Sequence, residues 1–216
     1  IDFRTGVTPD PRINMSHRTD GRDIDVLLLV DLSESLNQRV GGDVSAQTVL
    51  QLSQEAVALL AWSIDQLGDA LAVAGFHSNT RHDVRYQHIK GFGEGWNDQV
   101  KSRIAAMQAG YSTRMGAALR HAGHYLGARK ADKRILLVLT DGEPADIDVT
   151  DSAYLRADAR KAVDTLQANG ITTYCLSLDP NADEYVSEIF GKNWRVLDRI
   201  DRLPEQLPML YLNLTR

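Results

Sequence analysis

Asp31, Ser33 and Ser35 place one carboxylate and two hydroxyls at alternating positions, directly after the apolar run 26–30. An apolar run of this length is typical of a buried strand in a parallel sheet. In open α/β sheets, ligands bind beyond the carboxyl ends of such strands. Carboxylate and hydroxyl oxygens are the hard donors that Mg²⁺ and similar cations prefer. These residues therefore predict a divalent-cation site at the end of the first strand.

Two later segments carry oxygen donors at comparable places. Thr113 lies immediately before a predicted helix, and Asp141 follows the apolar run 135–139, which predicts another buried strand. If the sheet places the two strands side by side, all the donors converge at one edge. The donors are Asp31, Ser33, Ser35, Thr113 and Asp141. The alternative is that the segment 31–35 only caps a helix, since Asp and Ser favour N-caps and turns; the other two donors favour the metal site.

The elements that must position these donors alternate between strand and helix along the chain. Apolar residues at three- and four-residue steps predict an amphipathic helix over 49–67. They predict another that is capped by Asp151 or Ser152 and stops at Asn169-Gly170. Shorter helices are predicted over 98–107, 114–126, 184–190 and from Pro204. Further strands are predicted over 71–76, 84–89, 171–178 and 195–196. The alternation predicts an α/β fold, a Rossmann-like, doubly wound, mostly parallel sheet with one antiparallel edge strand and helices on both faces.

The composition excludes several classes of protein. Of the 216 residues, 43% are hydrophobic and 25% are charged, and the formal net charge is −5, which argues against a general nucleic-acid or membrane-surface binder. No apolar stretch approaches the roughly 20 residues of a membrane-spanning helix. The single cysteine, Cys175, excludes an internal disulfide and is compatible with a cytoplasmic location. We interpret residues 1–22 as a polar lead-in from a longer protein and residues 23–216 as the folded domain.

The pattern Asp-x-Ser-x-Ser at 31–35, followed by Thr113 and by Thr-Asp-Gly at 140–142, resembles a von Willebrand factor type A domain. The resemblance covers about residues 23–216 and implies the fold of that family together with its metal-ion-dependent adhesion site. In such a site, neutral hydroxyls leave much of the charge of the ion uncompensated. A carboxylate from a partner can then replace one of the water ligands that Mg²⁺ keeps.

The resemblance also implies a role for each donor. Ser33, Ser35 and Thr113 would bind the ion through their hydroxyls, whereas Asp31 and Asp141 would bind it directly or through water. The implied cofactor is Mg²⁺, or another divalent cation such as Mn²⁺ or Ca²⁺. No residue is implied to activate a nucleophile, so the resemblance implies a binding domain and not an enzyme.

Within this family, the run 140–149, the tail segments 189–191 and 203–208, and the lead-in segment 10–13 resemble one bacterial subgroup. These are the C-terminal A domains of adaptors that work with MoxR-type AAA+ ATPases, including the nitric-oxide-reductase activation protein and the adaptor subunit of a rubisco activase. The resemblance implies that the metal site binds an acidic side chain of a target enzyme. It also implies that the rest of the full-length protein docks on the ATPase ring, with no nucleic-acid partner and no membrane insertion.

Two alternative functions stay open. One is the A domain of a metal-chelatase subunit, although the run 140–149 favours the adaptor subgroup. The other is an Mg²⁺-dependent phosphohydrolase with Asp31 as its nucleophile. That chemistry normally needs Asp-x-Asp and a later Lys, and Ser33 replaces the second acid here. Neither a Walker A motif nor a Gly-x-Ser-x-Gly elbow occurs in the chain.

Three other groups of residues have simpler interpretations. The acidic run from Asp141 to Asp151 has two functional interpretations, a specificity surface for a partner or an auxiliary cation site. The alternative, which we favour for the residues after Asp141, is a solvated loop in which Asp151 caps a helix. The glycine-rich segment 91–95 predicts a turn, with Phe92 or Trp96 exposed near a partner surface. The histidines lack the ligand spacing of a zinc site.

Overall fold

The computed structural model describes residues 23–42 and 46–215, so the lead-in predicted for residues 1–22 lies outside the described residues. A six-stranded sheet has the strand order β3-β2-β1-β4-β5-β6. Its strands are β1 (Ile24–Asp31), β2 (Ala70–Ser78), β3 (Val84–Lys90), β4 (Lys133–Thr140), β5 (Ile171–Ser177) and β6 (Trp194–Val196). Neighbouring strands are parallel except for the antiparallel pair β2 and β3. The predicted sheet with one antiparallel edge strand is confirmed.

Helices cover both faces of this sheet. They are α1 (Val49–Leu67), α2 (Asp98–Ala105), α3 (Met115–Gly127), α4 (Ser152–Ala168), α5 (Asp183–Phe190) and α6 (Leu203–Leu214). Local sequence explains several of their ends. Thr48 and Gln51 form a capping box at the start of α1, and Gly68 ends that helix with a φ of 77°. Asp151 caps α4, as predicted, by accepting a hydrogen bond from the amide of Ala153 at 3.0 Å.

The alternation of β1 divides the apolar core into two layers. Val26, Leu28 and Val30 point to one face and belong to a cluster with buried residues of α1, α2 and α6. Leu27 and Leu29 point to the other face and pack with buried residues of α3, α4 and α5. Because both faces of β1 are covered, the strand reads as a continuous apolar run and not as an alternating one.

The register of the sheet brings the predicted donor segments together. β1 and β4 are adjacent and parallel, with Val30 opposite Leu139, so their carboxyl ends meet at one edge. β3 runs the other way, and the turn after it lies toward the opposite edge. The expectation that Phe92 or Trp96 is exposed is wrong: both are half-buried, and the Arg129 guanidinium carbon lies 4.8 Å from the centre of the Phe92 ring. Among the described helices, none is long and apolar enough to cross a membrane.

Candidate metal site

Asp31 is the last residue of β1 and lies at the centre of the candidate site. It is only 1% exposed. Its carboxylate accepts hydrogen bonds from the amide of Ser33 at 3.0 Å and from the hydroxyl of Thr140 at 2.7 Å. The hydroxyl of Thr113 lies 3.2 Å from each carboxylate oxygen. Asp31 therefore joins the end of its own strand to the end of β4 and to the loop before α3.

Asp141 gathers the two serines on the other side of the site. Ser35 donates a hydrogen bond from its hydroxyl to Asp141 at 2.9 Å, and the hydroxyl of Ser33 lies 3.5 Å from the same carboxylate oxygen. The two serine hydroxyls are 3.1 Å apart. The structure thus brings together every donor that the sequence predicts, although these donors come from three separate segments of the chain.

Backbone hydrogen bonds hold two of these segments, the one after β1 and the one before α3, in register. The amide of Glu34 donates to the carbonyl of Tyr111 at 3.0 Å, and the amide of Gly110 donates to the carbonyl of Leu32 at 2.9 Å. A 3-10 turn over Glu34–Asn37 then directs the Ser35 hydroxyl back to the site. Tyr111 adopts a φ of 65°, a left-handed conformation that is costly for a residue other than glycine. Strain of this kind, next to a donor, is frequent at functional sites.

The donor set fits a hard divalent cation. Mg²⁺ takes oxygen ligands at about 2.0–2.1 Å in an octahedron, in which adjacent ligands lie roughly 2.9 Å apart. The oxygens of Ser33, Ser35 and Asp141 lie 2.9–3.5 Å from one another, and those of Thr113 and Asp31 are 3.2 Å apart. Side-chain oxygens at this spacing, without soft sulfur or nitrogen donors, match Mg²⁺ or Mn²⁺ better than zinc.

The two carboxylates make the site electrostatically unfavourable without a cation. Burial, together with the charge of Asp141, raises the pKa of Asp31 to about 7. Burial also raises the pKa of Asp141, and the nearby carboxylate of Asp179 acts in the same direction. Within the described residues, neither Asp31 nor Asp141 has a salt bridge to an arginine or lysine. A bound cation would compensate this buried negative charge.

Thr140 contacts the site directly and Asp179 lies near Asp141, although neither is among the five donors predicted from the sequence. Thr140 donates the shortest hydrogen bond to Asp31, at 2.7 Å. Asp179 follows β5 and is held by the amide of Asn181 at 2.8 Å and by the hydroxyl of Tyr185 at 3.2 Å. Both residues lie at carboxyl ends of parallel strands, so the rule that located Asp31 could have found them.

The interpretation of the acidic run as a solvated loop is wrong for two of its members. Asp146 is buried and forms a salt bridge with Arg114 at 2.9 Å. Asp148 is mostly buried and forms salt bridges with Arg114 and Arg81. Glu143 is half-buried and accepts a hydrogen bond from the guanidinium of an α4 arginine at 2.8 Å. The pattern of alternating acids did not reveal Arg81 and Arg114, because these partners lie 67 residues before Asp148 and 32 residues before Asp146.

The histidines do not form a zinc site in the described part of the chain. His88 and His121 pack against the ring of Tyr125, and a nitrogen of His88 lies 3.1 Å from its hydroxyl. Among the described residues, no three His, Cys, Asp or Glu side chains are grouped so that they could hold a metal ion. The candidate site described above is of another kind, because only two of its five donors are carboxylates.

Sequence relatives extend over nearly the whole chain. An uncharacterized protein of Pseudomonas aeruginosa, PA0525, is 35% identical over 217 residues, which cover 100% of this chain and 35% of that protein. Protein NorD of Brucella melitensis is 34% identical over 211 residues, which cover 97% of this chain and 33% of that protein. The chain therefore spans about a third of the length of these curated relatives.

The fold and the family profile agree with this likeness. A solved von Willebrand factor type A structure from Catenulispora acidiphila superimposes with a TM-score of 0.64 at 17% identity, covering 88% of this chain and 42% of that one. The sequence profile of the von Willebrand factor type A domain matches residues 25–197, a range that contains all five donors. The chain belongs to the von Willebrand factor type A domain family.

Proposed function

We propose that this domain is a cation-dependent protein-recognition module of an adaptor, and that Asp31, Ser33, Ser35, Thr113 and Asp141 hold Mg²⁺ or a similar divalent ion. The observation that carries the proposal is the convergence of these oxygens around the buried carboxylate of Asp31 and the half-buried carboxylate of Asp141. Within the described part of the chain, neither carboxylate forms a salt bridge. The ion would supply an open coordination position for an acidic side chain of a target protein. The chain would supply the rest of the shell and its orientation.

The hydroxyl donors suit recognition because they leave the ion electron-poor. Ser33, Ser35 and Thr113 are neutral, so only two formal negative charges from Asp31 and Asp141 face the ion. Mg²⁺ usually retains several waters in such protein sites. Exchange of one water for a carboxylate of the target brings in a further negative charge and stabilises the complex.

The environment of Asp31 supports a non-catalytic role. Its buried carboxylate accepts hydrogen bonds on both oxygens, from Ser33, Thr113 and Thr140. A phosphohydrolase nucleophile needs an oxygen that is free to attack the substrate, and this carboxylate is held inward. The phosphohydrolase alternative is therefore disfavoured, and we propose that any ATPase activity belongs to a partner.

We further propose that the target is an enzyme that a MoxR-type AAA+ ATPase remodels, and that the rest of the full-length protein docks on the ATPase ring. The similarity to proteins named NorD supports this activation role over a chelatase subunit. It also favours nitric oxide reductase over rubisco as the target. We place the reaction in the cytoplasm, where the ATPase would have its nucleotide.

The first prediction concerns the donors themselves. We expect the wild-type chain to bind Mn²⁺ and Ser35→Ala or Asp141→Asn to weaken that binding at least about tenfold, because the first change removes an oxygen donor and the second removes a negative charge. Binding is measured by electron paramagnetic resonance of free Mn²⁺. Asp164→Asn on α4 is the matched control, since it removes an acid that pairs with Arg160 away from the site.

Function is tested in the full-length protein with its ATPase and target enzyme. Target activation should fail with Ser35→Ala and in the presence of a chelator, while Asp164→Asn behaves like wild type. Mn²⁺ binding that is unchanged in Asp141→Asn would refute the metal site. Normal target activation by full-length Ser35→Ala that no longer binds the ion would instead refute the recognition role.

A further inference from the structure

Asp146 is the centre of a buried hydrogen-bonded group that links three loops beside the candidate metal site. Its side chain has no exposed surface. One carboxylate oxygen accepts from the amides of Thr80 at 2.9 Å and Ile147 at 2.8 Å. The other accepts from the hydroxyl of Ser78 at 2.8 Å and from the guanidinium of Arg114 at 2.9 Å. Every lone-pair direction of this carboxylate is thus used within the fold.

Asp148 extends the same group from the next alternate position. The Arg114 guanidinium, 11% exposed, also donates to Asp148. The second oxygen of Asp148 accepts from the amide of Arg81 at 2.9 Å. Asp146, Asp148 and Arg114, which we call the acid clamp, therefore tie the turn after β2 to the loop before α3 and to the loop after β4. The single guanidinium of Arg114 is shared by the two acids, and the more exposed Arg81 forms a further salt bridge with Asp148.

The acid clamp surrounds Thr113, which is itself one of the predicted ligands. The amide of Thr113 donates to the carbonyl of Ala145 at 2.8 Å, and the amide of Ala145 donates back at 3.1 Å. On one side of Thr113, Ser112 and Ser78 exchange two backbone hydrogen bonds of 2.8 Å. On the other side, the amide of Arg114 donates to the hydroxyl of Ser78 at 3.0 Å. The backbone of Thr113 thus has its place set by groups that the clamp holds.

A buried ion pair is weak evidence for stability, because the cost of desolvation offsets much of the attraction. What such a group does supply is a single geometry, since each donor has only one acceptor within reach. Groups that orient metal ligands in this way typically change cation affinity by about 10–100-fold when they are mutated. The position of the clamp next to Thr113 makes it a candidate for this role.

We infer that Asp146, Asp148 and Arg114 are positioning residues that set the place of the Thr113 hydroxyl and so the affinity of the site for its cation. The inference rests on the proposed metal site, because Thr113 is a ligand only if that site exists. In this role the acids are neither a specificity surface nor an auxiliary cation site. They act on the metal site through Arg114 and the backbone, and not by contact with a partner or with a second ion.

A double-mutant cycle in the full chain, with Mn²⁺ as the probe, tests this inference. We expect Asp146→Asn to weaken Mn²⁺ binding about tenfold. Thr113→Val should weaken it at least as much. If Asp146 acts through Thr113, Asp146→Asn should have no further effect in the Thr113→Val background. An effect that is the same in both backgrounds would mean that Asp146 acts by its charge or by general loosening, and would overturn the inference.

Asp25→Asn is the matched control variant. Asp25 is also buried and pairs with an arginine, Arg129, through hydrogen bonds of 2.6 and 3.2 Å, but it lies near the start of β1 at the opposite edge. It should therefore leave Mn²⁺ affinity unchanged. If Asp146→Asn does not fold, Asp148→Asn replaces it, because Asp148 is 18% exposed and its loss leaves the Asp146 pair in place. A smaller weakening in the same direction is expected, and Mn²⁺ affinity equal to wild type would overturn the inference.

The two proposals fail in different ways. If wild type binds no Mn²⁺, or if Thr113→Val binds it as tightly as wild type, the metal site is wrong and the clamp has nothing to position. If wild type binds and Thr113→Val is weaker, but Asp146→Asn equals wild type, then only the positioning role is wrong.

Discussion

His77 shows how a single buried side chain supports the loops of the candidate site. It is 6% exposed and is the second-last residue of β2. Its Nδ1 lies 3.1 Å from the carbonyl of Gly110, so this nitrogen must carry the proton and donate. The other ring nitrogen faces the side-chain amide of Gln87 at 3.5 Å, which can donate only to a neutral ring. The loop before Thr113 is thus held by the uncharged form of the imidazole.

This arrangement predicts a pH dependence of stability. Burial lowers the pKa of His77, the Arg85 charge lowers it further, and the Gly110 hydrogen bond and Asp83 act the other way. As the pH falls below about 6.5, the unfolded chain takes up a proton that the folded chain resists, so the free energy of unfolding decreases. Urea unfolding at pH 7.5 and pH 5.5 should therefore show a larger loss for wild type than for His77→Gln.

The exposed histidine His82 supplies the control for this measurement. His82→Gln should keep the pH dependence of wild type, because its ring is not enclosed by the fold. An equal acid-induced loss in wild type and His77→Gln would show that other groups dominate the titration.

At the scale of elements, helices and strands were predictable because each depends on a local period. Apolar residues spaced three and four positions apart identified α1, and the uninterrupted apolar run identified β1. The loops were not predictable in the same way. The run after β4 is acidic, and its sequence indicates a solvated loop. In the structure, Arg114 binds both Asp146 and Asp148, and it lies 32 and 34 residues before them. No local period encodes a contact of that separation.

The packing of α3 on α4 gives a prediction for an element. A Cβ added at Gly116 would lie 2.9 Å from Cγ of Asp158 and 3.1 Å from the backbone nitrogen of Ala159. Asp158 cannot easily move, because Arg120 holds its carboxylate. We expect Gly116→Ala to lower the free energy of unfolding by about 1–3 kcal/mol, as overpacking commonly does. Chemical denaturation measures the change.

Gly127 offers a matched substitution in the same helix. It is exposed at the end of α3, and a Cβ there would meet no atom within 4 Å. Gly127→Ala should be neutral or stabilise the chain by up to about 1 kcal/mol, because alanine favours the helix. Similar losses for both variants would mean that close helix packing is not the cause.

At the scale of the whole molecule, the order of strands creates the candidate site. β1 and β4 are neighbours at the centre of the sheet, and β2 and β5 flank them. The carboxyl ends of these four strands therefore lie at one edge of the sheet. Asp31 and Ser78 end β1 and β2 there, and Asp141 and Asp179 follow β4 and β5. A cation bound there would join loops that depend on most of the sheet, so its binding should be linked to global unfolding.

The linkage predicts that a bound ion stabilises the entire domain. When free Mn²⁺ exceeds its dissociation constant about 100-fold, the free energy of unfolding should rise by about 2.7 kcal/mol. Thermal unfolding of wild type with Mn²⁺ and with a chelator measures this change. At the same Mn²⁺ concentration, Asp141→Asn should be stabilised by about 1.4 kcal/mol or less, because its affinity is at least about tenfold lower. A rise of the same size in that variant would assign the effect to another site or to ionic strength.

The sequence by itself determined the fold class and the family and predicted the five candidate donors, because strand runs, helix periods and the Asp-x-Ser-x-Ser pattern are local features. These residues converge only if β1 and β4 are neighbours, and the order of strands in the folded sheet decided this. The tertiary structure alone revealed that Asp146 is buried against Arg114 and that Thr140 donates a hydrogen bond to Asp31. Burial and ion pairing depend on residues that are distant in the chain, so the same acidic sequence is compatible with a solvated loop and with a buried clamp.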